Sequence, residues 1–370
     1  MNSLRIASTF LVATALAVAV MPNGTDAPGA SRVGSIVSVA PMIDARSGHS
    51  ATLLPDGRVL IAGGMRRNQD FYRSAELYDP ATGRFQRTGE MNLARVGHAS
   101  VLLTSGKVLI AGGWIGRGCT DSAELYDPST GKFAVIARMT VRRGRPEATL
   151  LKNGDVLITG GADHDTPGGI SSAEILHAAT LTFEAIAPMH YARIAHTATL
   201  LSDGRVLIAG GRGDSVTSSA ELFDPQTKTF VLTHNMITAR YKHTAGLLPD
   251  GRVLVAGGSD ERDWNGALRS AEIFDPRSGK FTATSSLKAS RFKLPSEAVR
   301  LPSGQLLVAG GDALVEVYQP ETGQFLRATG ELSNAWHFMC ETSLKDGRVL
   351  LTGGYPNNDQ ATNEAWIYRP

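Results

Sequence analysis

An all-β fold of seven four-stranded units closed into a ring is what the sequence predicts, and three observations predict it. A short apolar stretch ending in two glycines, residues 58–64 (RVLIAGG), returns at 107–113, 155–161, 205–211, 252–258, 305–311 and 348–354. Regular return of one unit at a period near 50 residues marks a repeat architecture. Each unit also carries four apolar runs of strand length separated by turn residues. The second run of the first unit, residues 59–62, is apolar throughout, which calls for burial on both faces. A stack of open sheets leaves a face bare, whereas a closed ring of blades covers both. The expected fold is therefore a seven-bladed β-propeller.

The first unit shows the reading of each element. Residues 46–54 (RSGHSATLL) form strand one. Pro55-Asp56-Gly57-Arg58 follows as a hairpin, with Asp-Gly expected in a two-residue type I′ loop. Residues 59–62 are strand two. Gly63-Gly64 ends it, where a missing Cβ permits either an unusual φ or close approach of a neighbouring backbone. Residues 74–78 (SAELY) are strand three, 79–83 a turn and 85–89 strand four. The last unit stops at Pro370 after its third strand, while residues 36–42 precede Arg46 with no partner strands before them. Ile36, Met42 and Arg46 share the spacing of Phe85, Met91 and Arg95. Residues 33–42 are thus expected to supply the missing outer strand of blade seven, with the propeller running over 33–370.

The chain has 370 residues, and 37 Lys and Arg against 35 Asp and Glu leave a net charge of +2. The basic residues are spread over the repeats, so no patch suits nucleic acid. Arg5, the uncharged apolar run 6–20 and the small-residue triplets 17–19 and 25–27 read as an export signal and leader over residues 1–27. An uncleaved N-terminal anchor is the competing reading. The expected location is periplasmic or secreted, as a monomer that leaves the membrane once the signal is cleaved. Cys119 and Cys340 fall at different places in different repeats, so no disulfide is implied.

The Gly-Gly after strand two, the Tyr-Asp-Pro-x-Thr-Gly-x-Phe run (Tyr78 to Phe85, Tyr126 to Phe133) and the Arg-x-x-His that opens strand one (Arg46/His49, Arg95/His98, Arg193/His196, Arg240/His243) resemble the kelch repeat. The resemblance covers about residues 35–370. It is similar to exported bacterial kelch proteins and to the propeller of galactose oxidase. It implies the propeller fold, and much less about activity, because propellers carry unrelated functions.

In a repeat protein, residues found in most units are structural, and a site has to break the symmetry. Glu76, Glu124, Glu174, Glu221, Glu272 and Glu316 share one column of strand three. They are expected to pair once per blade with the Arg or His of strand one. The histidines of strand one occur one per blade and lack metal-ligand spacing. The unrepeated residues lie in the loops after strand two and at the start of the innermost strand. Arg66, Trp114, Arg117, His164, Arg212, Arg262, Trp264 and Tyr355 are the loop candidates. Variable loops on a rigid frame are where recognition concentrates. On the inner strand, the column of Ser50 reads Ala99, Glu147, Thr197, Thr244, Glu297 and Cys340, and the column of Gly48 becomes Arg145 and Lys242. Arg145, Glu147 and Glu297 are therefore candidates at a charged mouth of the central channel.

A binding module for a glycan or a protein, acting through the face that carries the loops after strands two and four, is the favoured function. No nucleophile, phosphate-loop, calcium-loop or Cys/His metal motif is visible, and no cofactor is implied. A carbohydrate-active enzyme is the alternative. Likeness to galactose oxidase would imply a copper site with Cys119 on the loop face and Tyr191, His164 and His337 as partners. Likeness to the periplasmic sialic acid mutarotases would imply a site using Glu147, Glu297 and Arg145. A purely structural spacer is a third reading, disfavoured by the unequal chemistry of the loops.

Overall fold

The computed structural model describes residues 33–163, 168–356 and 360–370. The expected signal and leader, and the candidate His164, lie outside these residues. Seven antiparallel four-stranded sheets follow one another along the chain. Blade one consists of Ser50–Leu53, Val59–Ala62, Ala75–Asp79 and Arg84–Arg87. Blades two to six repeat that order. In blade seven Cys340–Ser343, Val349–Thr352 and Ala365–Arg369 are completed by Ser35–Ser38, paired Ser35↔Arg369 through Ser38↔Trp366. The ring is thus closed by a strand from the far end of the propeller sequence.

Burial on both faces of strand two follows from the ring. In blade one Val59 and Ile61 pack with Leu350 and Ile367 of blade seven, while Leu60 and Ala62 pack with Val108 and Ile110 of blade two. The aromatic pair across strands three and four recurs, as in Tyr78 and Phe85 (ring centroids 4.9 Å apart) and Phe274 and Phe281 (4.9 Å). The Gly63-Gly64 pair meets both sequence expectations. Its φ angles are +61° and +92°, and a Cβ on Gly63 would lie 2.8 Å from the ring of His98 in the next blade.

The turn after strand one differs from the expected two-residue type I′ loop. Gly57 N–H donates to Leu54 O (2.9 Å) and Leu54 N–H to Arg58 O (2.8 Å), and only Gly57 has a positive φ. This is a three-residue loop, a type I turn followed by a left-handed glycine. Pro55 suits the first corner of a type I turn, but Thr104, Lys152 and Ser202 hold the same corner in blades two to four with the same hydrogen bonds, so the loop length and its left-handed glycine set the type.

The strand-three glutamates pair with the arginine of strand one in six blades. Arg46 and Glu76 are fully buried with Nη2···Oε1 at 2.9 Å, and the other five pairs span 2.6–2.9 Å. The guanidinium also donates to Gly63 O and Ser74 O (2.7 and 3.0 Å). The Glu76 carboxylate accepts the Ile43 and Asp44 N–H groups (2.7 and 3.0 Å). Each pair therefore latches the loop that enters a blade onto strands two and three, although the buried Nε of Arg95, Arg193, Arg240 and Arg291 finds no hydrogen-bond partner among the described residues. Blade seven replaces the pair by Trp336 and Trp366, whose rings lie 6.2 Å apart. The histidines take a different partner, a hydroxyl. His98 Nε2 meets Ser50 Oγ at 2.9 Å, and His243 Nε2 meets Thr197 Oγ1 at 3.1 Å, each in the preceding blade.

Candidate ligand-binding site

At the start of each inner strand one residue adopts a left-handed backbone. These are Gly48, Gly97, Arg145, Ala195, Lys242, Lys293 and Phe338, with φ between +51° and +59°. The conformation is set by the ring. Gly48 N–H donates to Phe338 O (3.0 Å), Gly97 N–H to Gly48 O (2.9 Å), Arg145 N–H to Gly97 O (2.8 Å), Lys242 N–H to Ala195 O (2.9 Å) and Phe338 N–H to Lys293 O (2.9 Å). Backbone bonds from blade to blade thus form a collar about the axis. A left-handed non-glycine residue costs about 1 kcal/mol or more, so five such side chains in one collar mark a place where their identity matters.

Two cavities meet at this collar. A groove of about 340 Å³ on the loop face is lined by Met65, Asn68, Gln69, Phe71, Trp114 and Phe338, with Gly48, Gly97 and Arg145 at its floor. Asn68–Phe71 come from the hairpin Met65–Arg67 and Asp70–Phe71 in the loop after strand two of blade one. Trp114 lies against two glycines. A Cβ on Gly97 would sit 2.9 Å from its ring, and one on Gly144 2.5 Å. Below, a chamber of about 210 Å³ in the channel is lined by Arg145, Glu147, Lys242, Ser296, Phe338, Cys340 and the histidines of strand one. Gly48, Gly97, Arg145 and Phe338 belong to both cavities.

A third cluster lies on the side of blades five to seven. Lys293 Nζ sits 3.5 Å from the ring centroid of Trp264 and donates to the Tyr355 hydroxyl at 2.8 Å. Phe292, His337 and Phe338 complete the aromatic surroundings. Lys242 donates to Asp263 Oδ1 (2.7 Å), which also accepts from the Tyr241 hydroxyl (2.8 Å).

The electrostatics of the chamber come from burial. Desolvation pushes Glu147 up to about 8, with the negative charge of Glu297 adding to it against a Ser296 hydrogen bond and Arg145. Burial raises Glu297 as well. Glu341, also at about 8, accepts from Ala309 N–H (2.8 Å) at the edge of blade six, whose inner strand is only Val299–Arg300. His49, His98 and His196 are driven down to about 3 by burial, helped by the neighbouring guanidinium groups, and His243 well below its ordinary value. Stability then has a maximum near pH 6.5. Below that the unfolded chain binds protons that the buried histidines refuse. Above it the native glutamates hold protons that the unfolded chain has lost. Thermal melts from pH 4 to 9 should show this bell. Replacing Glu147 and Glu341 by Gln should remove a destabilisation that grows from about pH 4.5 to 8, so the alkaline limb flattens by about 1–2 kcal/mol per residue, the acid limb steepens and the maximum moves to higher pH. An unchanged alkaline limb would contradict the assignment.

Of the residues singled out in the sequence, Trp114 and Arg145 meet in the groove, Arg145 and Glu147 in the chamber, and Trp264 and Tyr355 in the aromatic cluster. Glu297 does not line the chamber, although Glu147 feels its charge, and its backbone bridges to Ala245 of blade five. Arg212 stands 3.8 Å from Glu261. Arg262 folds back on Asp260 at 2.6 Å. Arg66 and Arg117 are exposed and line neither cavity. Lys293 and Phe338 were missed. They occupy the Gly48 column, but a two-residue insertion in blade six and the loss of Arg-x-x-His in blade seven hide that register in the sequence.

The model of the Kelch motif matches residues 95–140 and 240–288. No curated protein matches the chain. Among solved structures the chain is similar to a fungal alcohol oxidase of the AA5 family in complex with copper, at 14% identity and a TM-score of 0.74, over 92% of this chain and 77% of that one. At that identity the likeness is one of fold. Of the donors that likeness to galactose oxidase would imply, His164 lies outside the described residues. Among the described residues no group of three or more His, Cys, Asp or Glu is placed to hold a metal ion. Cys119 is buried in a bridge with Trp114, Tyr191 is half exposed near Arg193, and the Tyr355 hydroxyl receives the Lys293 ammonium. The chain is a seven-bladed β-propeller that carries the Kelch motif at residues 95–140 and 240–288, and its fold is similar to that of a copper-bound alcohol oxidase.

Proposed function

We propose that this propeller is a carbohydrate-binding module that takes a glycan in the groove between the hairpin of blade one and Trp114. The observation that carries the reading is the seat of Trp114, braced against Gly97 and Gly144 beside a groove also lined by Phe71 and Phe338. A rigid aromatic ring beside amide groups is the chemistry that sugars require. The ring covers the apolar C–H face, and Asn68 and Gln69 offer donors and acceptors to hydroxyls. The volume suits one or two sugar rings, and the backbone collar keeps the site preorganised.

Glycan-array binding of the whole chain, followed by calorimetry on the tightest hit, tests this. Trp114→Ala should weaken binding by about 30-fold, or ~2 kcal/mol, the size expected for a central aromatic anchor. Arrays without a retained glycan, or a Trp114→Ala protein that binds like the parent, would overturn it. Conversion of the bound sugar, followed by NMR, would move the reading to the enzyme alternative.

A further inference from the structure

We infer that the glycan taken by the groove carries a carboxylate, and that Arg145 receives it. This inference rests on the carbohydrate reading and goes one step past it.

The seven collar residues are not equivalent. Blades one and two contribute Gly48 and Gly97, side by side, and so leave a gap in the ring of side chains. Arg145 of blade three reaches across that gap. A Cβ on Gly97 would stand 3.0 Å from Arg145 Cγ, so glycine is what gives the arginine its path. Its guanidinium ends 3.6 Å above the ring centroid of Phe338 in blade seven. The stack fixes the plane of the guanidinium while leaving its N–H edge available.

The other cations around the channel are engaged. The six strand-one arginines are latched to glutamates, Lys242 to Asp263, and Lys293 to Tyr355. Arg145 alone is different among them. Its guanidinium has no hydrogen bond and no ion pair among the described residues, although the group borders both cavities. Its nearby acids do not neutralise it. Asp263 is taken by Lys242 and Tyr241, and Glu147 is held toward its protonated form by burial. Burial brings Arg145 down to about 10, so it remains a cation at neutral pH.

A partly desolvated guanidinium with open donors calls for an anion, and its planar fork matches the two oxygens of a carboxylate. Aromatic rings and amides beside it call for a sugar body. A uronic acid, or another sugar acid, satisfies both at once, with the ring on Trp114 and the carboxylate on Arg145.

The test uses the tightest glycan from the array, titrated calorimetrically with its carboxyl intact and with that carboxyl reduced to the alcohol. The intact acid should bind about 30-fold more tightly, the scale of a charge-assisted pair. Arg145→Gln should weaken the acid far more than the alcohol and so erase that difference, with unchanged melting as proof of folding. Phe338→Leu, which removes the resting face of the guanidinium, should reduce the preference several-fold. Three outcomes would overturn the inference. One is a tightest glycan without a carboxylate, another is equal affinity for acid and alcohol, and the third is a preference that survives in Arg145→Gln. In each case the carbohydrate reading would still stand. Failure of every glycan, acidic and neutral, would instead remove the carbohydrate reading itself.

Discussion

Deletion of residues 33–42 is expected to abolish cooperative unfolding and drive the protein into aggregates. Ser35–Ser38 supplies four paired residues to Ala365–Arg369, and Val33 and Ile36 also donate to Arg327 O and Thr329 O of blade six. Ile36 and Met42 are buried, so their loss forfeits about 1.5–3 kcal/mol each before any hydrogen bond is counted. The larger effect is topological. Without this strand, Trp366, Ile367 and Tyr368 lie on a bare edge, a template for pairing with another chain. The contact also spans almost the whole propeller sequence, so it ties the chain ends together in addition to the packing of Val59 and Ile61 on Leu350 and Ile367. Size-exclusion chromatography and calorimetry on the deletion protein provide the measurement. A monodisperse protein melting like the parent would mean that the inner-strand contacts between blades seven and one, such as Cys340 Sγ to His49 O at 3.1 Å, suffice to close the ring.

Removing one half of a latch should be the most damaging point substitution in the frame. Arg240→Met leaves the Glu272 carboxylate buried without its guanidinium, at a cost of about 3–5 kcal/mol. Glu272→Leu strands the charge of Arg240 and leaves the Ile237 and Thr238 N–H groups without their acceptor. The double substitution should be less destabilised than the sum of the two. Blade seven shows how this works. There two tryptophans fill the volume, Trp336 Nε1–H donates to Ser333 Oγ (3.3 Å), and Asn334 Oδ1 accepts the Ala335 N–H (2.8 Å), so the entering loop is held without the ion pair. Urea unfolding of the four proteins in a double-mutant cycle measures the coupling. A double variant as unstable as the sum of the singles would show that the pair acts through something other than mutual compensation.

Much of this molecule was legible before any coordinates because its frame is made of local rules repeated seven times. Val59–Ala62 announces its burial by having no polar residue. Gly63-Gly64 announces a crowded, left-handed backbone. The spacing of Ile36, Met42 and Arg46 announces ring closure, since it copies Phe85, Met91 and Arg95. The pairing of Glu76 with Arg46 was also within reach, as a column of acids facing a column of bases. The hairpin type is not legible from Asp-Gly alone, because that pair fits a two-residue loop and also the end of a three-residue loop, and the strand register decides between them.

The candidate site was legible only in pieces. Trp114, Arg145 and Glu147 stood out because they break a repeated column. Nothing local says that Arg145 of blade three rests on Phe338 of blade seven, or that Gly48 and Gly97 clear its path. Those contacts join residues far apart in sequence, and they exist because backbone bonds close a collar around the axis. Lys293 escaped notice because its blade carries two extra residues, and Phe338 because blade seven lost the motif that marks the register. Strand order, burial and blade number thus follow from short-range chemistry written into each repeat. Which side chains meet over the channel depends on closing seven blades into one ring, a geometric condition that belongs to no single repeat.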